Sequence, residues 1–87
     1  MSEEIRSFVL ASLEAARPLP GATQADKLAY DYLDQGHIDS FSIMQLILTL
    51  EERFGIRFGQ EDLESDEMRT VGGLAAIVER LSEGGAR

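Results

Sequence analysis

A chain of 87 residues with 44% hydrophobic residues is long enough for one small domain with a single core. It has no cysteine and one histidine, which excludes disulfides, thiolate zinc sites, cysteine nucleophiles and multi-histidine metal sites. The net charge of −8 disfavours nucleic acid as a partner, because an acidic surface repels phosphates. No apolar run approaches the roughly 18–20 residues of a membrane helix, so no membrane insertion is expected. The acidic N-terminus lacks the pattern of a signal peptide, which indicates the cytoplasm.

The acidic residues are concentrated in the middle of the chain. Residues 31–67 hold ten acids and two bases, so this segment alone sums to −8, while the flanks hold six of each and sum to zero. Such a segment can attract basic patches on protein partners and speed their encounter. It can equally serve only to keep a small protein soluble, and charge alone leaves both interpretations open.

The first predicted helix covers residues 3–16, with Ser2 as its N-cap. Its apolar residues recur at helical spacing and are expected to face the core: Ile5, Phe8, Val9 and Leu13. Prolines end this helix and open a long loop, about residues 17–38. Within that loop, the spacing between Ala25 and Leu33 predicts at most a short helical turn.

The strongest helix prediction covers residues 40–54, with Asp39 or Ser40 as the N-cap and Gly55 as a left-handed stop. Two apolar stripes follow from a rotation of roughly 100° per residue. The first stripe, assigned to the core, contains Ile43, Leu46, Ile47, Leu50 and Phe54. The second stripe contains Phe41, Met44 and Leu48, and it either widens the core contact or forms a docking surface.

The C-terminal third predicts an extended piece, a short acidic helix within residues 60–68 and a last helix over about 71–82 with Thr70 as its N-cap. Gly72 and Gly73 would permit close approach of a neighbouring helix or a bound group. The apolar residues expected to face the core are Ile56, Phe58, Leu63, Met68, Val71, Leu74, Ala75, Val78 and Leu81. The sequence therefore predicts an all-α bundle of three main helices and one short acidic helix. It forms a single domain over residues 1–87, with a core from about 3 to 82 and a flexible tail over 83–87.

Ser40 stands where the long loop ends and the most apolar helix begins. Asp39 and Ser40 are both preferred helix caps, and capping alone would explain them. The hydroxyl also follows a loop that contains Gly36, which predicts exposure, and a helix N-terminus favours a bound phosphate. We interpret His37 as an exposed loop residue. A twelve-residue calcium loop starting at Asp31 would have too few oxygen ligands for an EF-hand.

The segment at this junction reads Gly36-His37-Ile38-Asp39-Ser40-Phe41. It resembles the Gly-x-x-Asp-Ser-(Leu/Phe/Met) attachment motif of acyl carrier proteins and the related peptidyl carrier domains. The resemblance continues through Leu50-Glu51-Glu52-Arg53-Phe54-Gly55-Ile56 and covers about residues 3–82. Asp-Ser alone is a weak motif, but its combination with this second segment at this spacing is specific.

The resemblance implies that a phosphopantetheinyl transferase attaches 4′-phosphopantetheine to Ser40. The thiol of that arm would carry an acyl or aminoacyl group as a thioester, so the chain would be a monomeric carrier rather than an enzyme. Asp39 would cap the helix and contribute to recognition by the transferase. The other expected partners are an adenylating ligase, an acyltransferase or a synthase with a basic docking surface. The residues assigned to partner recognition are Asp39, Phe41, Met44, Leu48, Glu51 and Glu52.

In two places the sequence departs from the pattern of carriers of fatty acid synthesis, and both bear on the pathway that this chain serves. Carriers of fatty acid synthesis tend to have acids early in the helix after the serine, where this chain has Ser42 and Gln45. Residues 59–69 look more like free-standing carriers of aminoacyl or specialised-metabolite pathways, including the D-alanyl carrier type. A dedicated carrier is therefore favoured over a housekeeping carrier of fatty acid synthesis.

One alternative of a different class stays open at this point. The chain could be an unmodified acidic adaptor that binds a basic protein through the second stripe. Replacement of Ser40 by alanine would leave such an adaptor functional, whereas it would inactivate a carrier. The sequence does not predict the identity of the cargo.

Overall fold

A computed structural model, which describes residues 3–85, confirms the predicted all-α fold. Within these residues there is no β-strand, and one isolated antiparallel bridge joins Asp31 to Thr70. No helix among them is long and apolar enough to cross a membrane. The elements in chain order are α1 (Glu3–Ala16), α2 (Gln24–Leu28), α3 (Ser40–Phe54), α4 (Gln60–Glu64), a 3-10 helix (Asp66–Arg69) and α5 (Val71–Gly85).

The bounds of α1 and α3 agree with the sequence prediction. In the long loop, α2 is a short helix whose start is fixed by a capping box, since Thr23 and Asp26 each accept from the other's backbone amide. The predicted acidic helix within residues 60–68 divides into two elements, because Ser65 adopts an extended conformation. Helix α5 continues three residues beyond the predicted end at 82. The predicted cap Ser2 and the tail residues Ala86 and Arg87 lie outside the described residues.

The core is centred on α5. Five of its residues are buried, namely Val71, Leu74, Ala75, Ile77 and Val78, and α1 packs on them through Ile5, Val9 and Leu13. Further buried side chains come from the connecting segments and from α3: Leu19, Tyr32, Leu50, Ile56, Phe58 and Met68. The prediction was wrong for Leu63, which is 41% exposed, because the five-residue α4 buries no side chain.

The two glycines at the start of α5 lie where backbones meet closely. A Cβ atom on Gly72 would lie 3.1 Å from the carbonyl oxygen of Leu28 in α2. A Cβ atom on Gly73 would overlap the carbonyl oxygen of Glu67 in the 3-10 helix. The predicted close approach is therefore an approach of neighbouring helical segments to α5.

Candidate functional site

Ser40 is the first residue of α3, and its side chain is exposed. The N-cap is Asp39, whose Oδ1 accepts a hydrogen bond from the backbone amide of Ser42 at 2.8 Å. Within residues 3–85, the hydroxyl of Ser40 has no hydrogen-bond partner. Of the two caps that the sequence left open, Asp39 takes the role, and the Ser40 hydroxyl is available for chemistry.

The carboxylate of Asp39 is held in its ionised form by the same contacts. The backbone amide of Ser42, and then the hydroxyl of Ser42, lower the pKa of Asp39 below its usual value, because both stabilise the charged form. A permanent negative charge therefore lies beside Ser40 at neutral pH. It satisfies one of the amides in the first turn of α3 and complements the positive end of the helix dipole.

His37 is buried, which corrects our interpretation of it as an exposed loop residue. Its side chain is 3% exposed, and its Nε2 lies 3.0 Å from the carbonyl oxygen of Leu13 near the end of α1. The imidazole ring packs edge to face on the ring of Tyr30, with 5.6 Å between the centroids. The backbone amide of His37 donates to the carbonyl of Tyr32. Gly36 supports this turn with a left-handed φ of 65°. The imidazole thus connects the segment before Ser40 to the C-terminal end of α1.

Tyr32 fixes the same segment from inside the core. Its side chain is fully buried, and within residues 3–85 its hydroxyl has no hydrogen-bond partner. Burial raises the pKa of this phenol above its usual value, because the core would desolvate the charged form. The sequence pattern placed Tyr32 on a helical turn, whereas the structure uses it as an apolar anchor beneath the loop.

Polar contacts hold this loop to the 3-10 helix and to the start of α5. The amide of Val71 donates to the carbonyl of Tyr30 at 3.1 Å. The guanidinium of Arg69 donates to Asp34 at 2.7 Å. The loop that precedes Ser40 is therefore attached to α1 through His37, to the core through Tyr32, and to the 3-10 helix and α5 through these contacts.

The second stripe of α3 is exposed, which excludes the wider contact with the core that the sequence left open. Phe41, Met44 and Leu48 are 71%, 60% and 57% exposed, respectively, so they do not widen the contact with the core. We call these three residues the apolar face. The first stripe faces the core as predicted: Leu50 is fully buried, and Ile43, Leu46, Ile47 and Phe54 pack partly buried against the core.

Two of the three acids assigned to recognition, Glu51 and Glu52, occupy different surroundings. Glu51 is half-buried, and its Oε2 accepts a hydrogen bond from the amide of Phe58 at 2.9 Å, which fastens the extended piece to α3. Glu52 is exposed. An open groove of about 430 Å³ lies at the C-terminal end of α3 and is lined by Leu48, Glu51, Glu52, Ile56 and Arg57. The residues that the structure describes contain no cluster of three or more histidines, aspartates or glutamates suited to a metal ion.

Comparison with known proteins gives one family. The family described as "Phosphopantetheine attachment site" matches residues 21–78, which include most of the long loop, Ser40 and all of α3. The acyl carrier protein of Rhodococcus erythropolis is 34% identical over 67 residues, which span 77% of this chain and 68% of that protein. The D-alanyl carrier protein of Leuconostoc citreum is 30% identical over 69 residues, which span 79% of this chain and 88% of that protein.

A third relative covers most of this chain. The meromycolate extension acyl carrier protein of Mycobacterium tuberculosis is 30% identical over 82 residues, which span 93% of this chain and 67% of that protein. No solved structure matches the chain significantly. These relatives carry different cargoes by name, so the similarity is to a common type of carrier and not to one pathway.

Proposed function

Since the chain belongs to the phosphopantetheine attachment family, whose members are non-catalytic carriers of acyl or aminoacyl thioesters, we propose that Ser40 is the attachment residue. One observation carries the proposal: the hydroxyl of Ser40 is exposed and has no partner within residues 3–85, while Asp39 performs the capping. The attached group supplies a thiol, which this cysteine-free chain lacks.

The surroundings of Ser40 suit a phosphodiester. The first-turn amides of a helix have no intrahelical acceptor, and the aligned peptide dipoles stabilise an anion there. Helix α3 has 15 residues, so its dipole is fully developed at Ser40. Asp39 uses the amide of Ser42, and the remaining amides of the first turn are free to stabilise the phosphate.

Mass spectrometry of the intact protein tests the attachment residue. The apo protein, incubated with coenzyme A and a phosphopantetheinyl transferase, is expected to gain one phosphopantetheine. Ser40→Ala is expected to gain none. Ser42→Ala is the matched control, because it removes a neighbouring hydroxyl on the same helix turn and should still be modified. An adduct on Ser40→Ala, or no adduct on the wild type, would contradict the proposal.

We also propose that the carrier serves a dedicated pathway rather than housekeeping fatty acid synthesis. The polar side chains of α3 between Ser40 and Glu51 are neutral, namely Ser42, Gln45 and Thr49. A D-alanyl carrier is also among the similar proteins. The cargo bound as a thioester to protein purified from its native host decides this question. An aminoacyl, aryl or specialised acyl group supports the proposal, and a series of ordinary fatty acyl chains contradicts it.

A further inference from the structure

We propose that His37 positions Ser40 for modification by holding the segment before the serine against the end of α1. This role rests on the proposed attachment at Ser40, and it adds a residue outside α3 to the site. His37 lies three residues before Ser40, so at about 3.8 Å per residue their Cα atoms are at most ~11 Å apart. A contact made by His37 therefore limits where the serine can lie.

The imidazole acts on Ser40 through the backbone. The side chain of His37 is 3% exposed and is too deeply buried to contact an enzyme on the surface, whereas Ser40 is exposed. Nε2 of His37 lies 3.0 Å from the carbonyl oxygen of Leu13. Since a carbonyl oxygen can only accept, this nitrogen carries the proton and donates. His37 is thus a positioning residue and not a catalytic residue.

Leu13 gives this contact a firm anchor. Its side chain is fully buried where α1 packs on α5. Its carbonyl oxygen lies in the last turn of α1 and also accepts a hydrogen bond from the amide of Arg17 at 3.3 Å. The hydrogen bond from His37 therefore joins the loop to the part of the fold that the core holds in place.

The residues on both sides of His37 leave little freedom between this anchor and the serine. Gly36 has a φ of 65°, and the amide of His37 donates to the carbonyl of Tyr32 at 3.0 Å, so the backbone enters His37 through a closed turn. Next, Ile38 packs half-buried against the core, and Asp39 is extended and caps α3. The serine is consequently held from two directions, by the anchored loop and by the helix.

The other contacts of the loop act farther from the serine. Tyr32 lies eight residues before Ser40, and Asp34, which accepts from Arg69, lies six residues before it. The contact of His37 lies between these and the helix cap. Its loss would let the turn at residues 32–37 open and move away from α1.

A fixed loop favours the transfer because the enzyme needs the conformation that brings the hydroxyl to its reacting centre. If only a fraction of the carrier molecules has this conformation, the apparent dissociation constant rises by the inverse of that fraction. A loop that is already ordered also loses less conformational entropy on binding. Loss of the His37 contact should therefore weaken binding of the carrier and leave the chemical step unchanged.

Steady-state kinetics of phosphopantetheine transfer test this role, with coenzyme A and a transferase that modifies the wild-type apo protein. His37→Leu removes the donor and keeps the space filled. We expect its KM to rise about fivefold or more while kcat stays within about twofold. His37→Gln supplies a donor again and should recover most of the change in KM. Equal KM values for the wild type and His37→Leu, or a change in kcat alone, would overturn the proposal.

A matched core variant separates positioning from a general loss of stability. His37→Leu should unfold at nearly the same urea concentration as the wild type, because leucine suits a buried site and the Leu13 carbonyl keeps its bond from Arg17. Val78→Ala truncates a fully buried residue of α5, so it should be clearly less stable and yet keep its KM within about twofold. If Val78→Ala raised the KM as much as His37→Leu, stability would explain the effect, and the positioning role would be wrong.

Hydrogen exchange measures the order of the loop without a transferase. The amide at position 37 donates to the carbonyl of Tyr32, and its protection should fall about tenfold or more in His37→Leu. The amide of Leu74, which donates to the carbonyl of Thr70, is the internal control and should keep its protection. Unchanged protection at position 37 would overturn the positioning role.

The two proposals fail in different ways. A wild-type chain that accepts no phosphopantetheine would contradict the attachment at Ser40 and the role of His37 with it. A wild type that is modified at Ser40, together with unchanged kinetics of His37→Leu, would contradict the role of His37 alone.

Discussion

Helices α3 and α5 have the same length, 15 residues each, and both are rich in apolar side chains, yet they use them differently. Among residues 71–83 of helix α5, five are buried, four of them fully inaccessible to solvent. Helix α3 has one fully buried residue, Leu50, and exposes Phe41, Met44 and Leu48. Apolar content therefore does not identify the helix at the centre of the core. Position relative to the other elements does.

The exposed apolar residues of α3 need a reason that folding does not provide. A contiguous apolar patch on the surface of a small protein contributes little to stability and promotes association with other molecules. If Ser40 carries the arm, as proposed, partner enzymes must bind close to it, and the place of this patch directly after Ser40 supplies that reason. Helix α5 stabilises the fold, and α3 presents the proposed attachment residue.

Equal truncations of one leucine on each helix provide the largest test of this comparison. Leu74 of α5 is fully buried, so Leu74→Ala should lower the free energy of unfolding by about 2–5 kcal/mol. Leu48 of α3 is 57% exposed, so Leu48→Ala should lower it by less than about 0.5 kcal/mol. Urea unfolding followed by circular dichroism measures both. Similar losses for the two variants would show that the helices do not differ in this way.

His37 tests how the exposed helix is held in place. His37→Ala removes a buried side chain and the donor to Leu13, so it should lower the free energy of unfolding by about 1–3 kcal/mol. The same urea experiment measures this loss. His37→Gln is the control, because its amide can still donate a hydrogen bond and should recover part of the stability. If His37→Ala were as stable as the wild type, the connection between the Ser40 loop and α1 would contribute nothing.

Local chemistry explains what the sequence predicted correctly. The bounds of α3 follow from an N-cap at Asp39 and a left-handed glycine at Gly55, whose φ of 65° the structure confirms. Both signals lie within a few residues of the helix ends. The same local rules placed Ser40 at the first position of the helix. Its role as the attachment residue remains a proposal.

Long-range contacts explain what the sequence predicted incorrectly or left open. The burial of His37 depends on Leu13, which is 24 residues away in the chain. No pattern around His37 contains that information. Leu63 fits a helical pattern but lies on a helix too short to bury it. Periodicity showed two apolar stripes on α3, and only the positions of α1 and α5 determine which stripe faces solvent.

The cap at Asp39 provides the smallest test, because it holds the start of α3 by local contacts while burial holds α5. The pKa of Asp39 is lowered in the folded protein, so the folded state binds this proton less readily than the unfolded state. The stabilisation is therefore complete above the ordinary carboxyl pKa and is lost as the pH falls through the lowered value. Asp39→Ala should be slightly less stable than the wild type at neutral pH, and the difference should shrink as the pH falls from about 7 to about 3.

Urea unfolding over this pH range measures the difference. Asp39→Asn is the control, because its side-chain oxygen can still cap the helix but carries no titrating charge. The difference between Asp39→Asn and Asp39→Ala should therefore stay nearly constant with pH, whereas that between the wild type and Asp39→Ala should not. A constant difference for both pairs would show that the charge of Asp39 does not stabilise α3. Asp39 would then hold the start of α3 through its hydrogen bond with the amide of Ser42 and not through its charge.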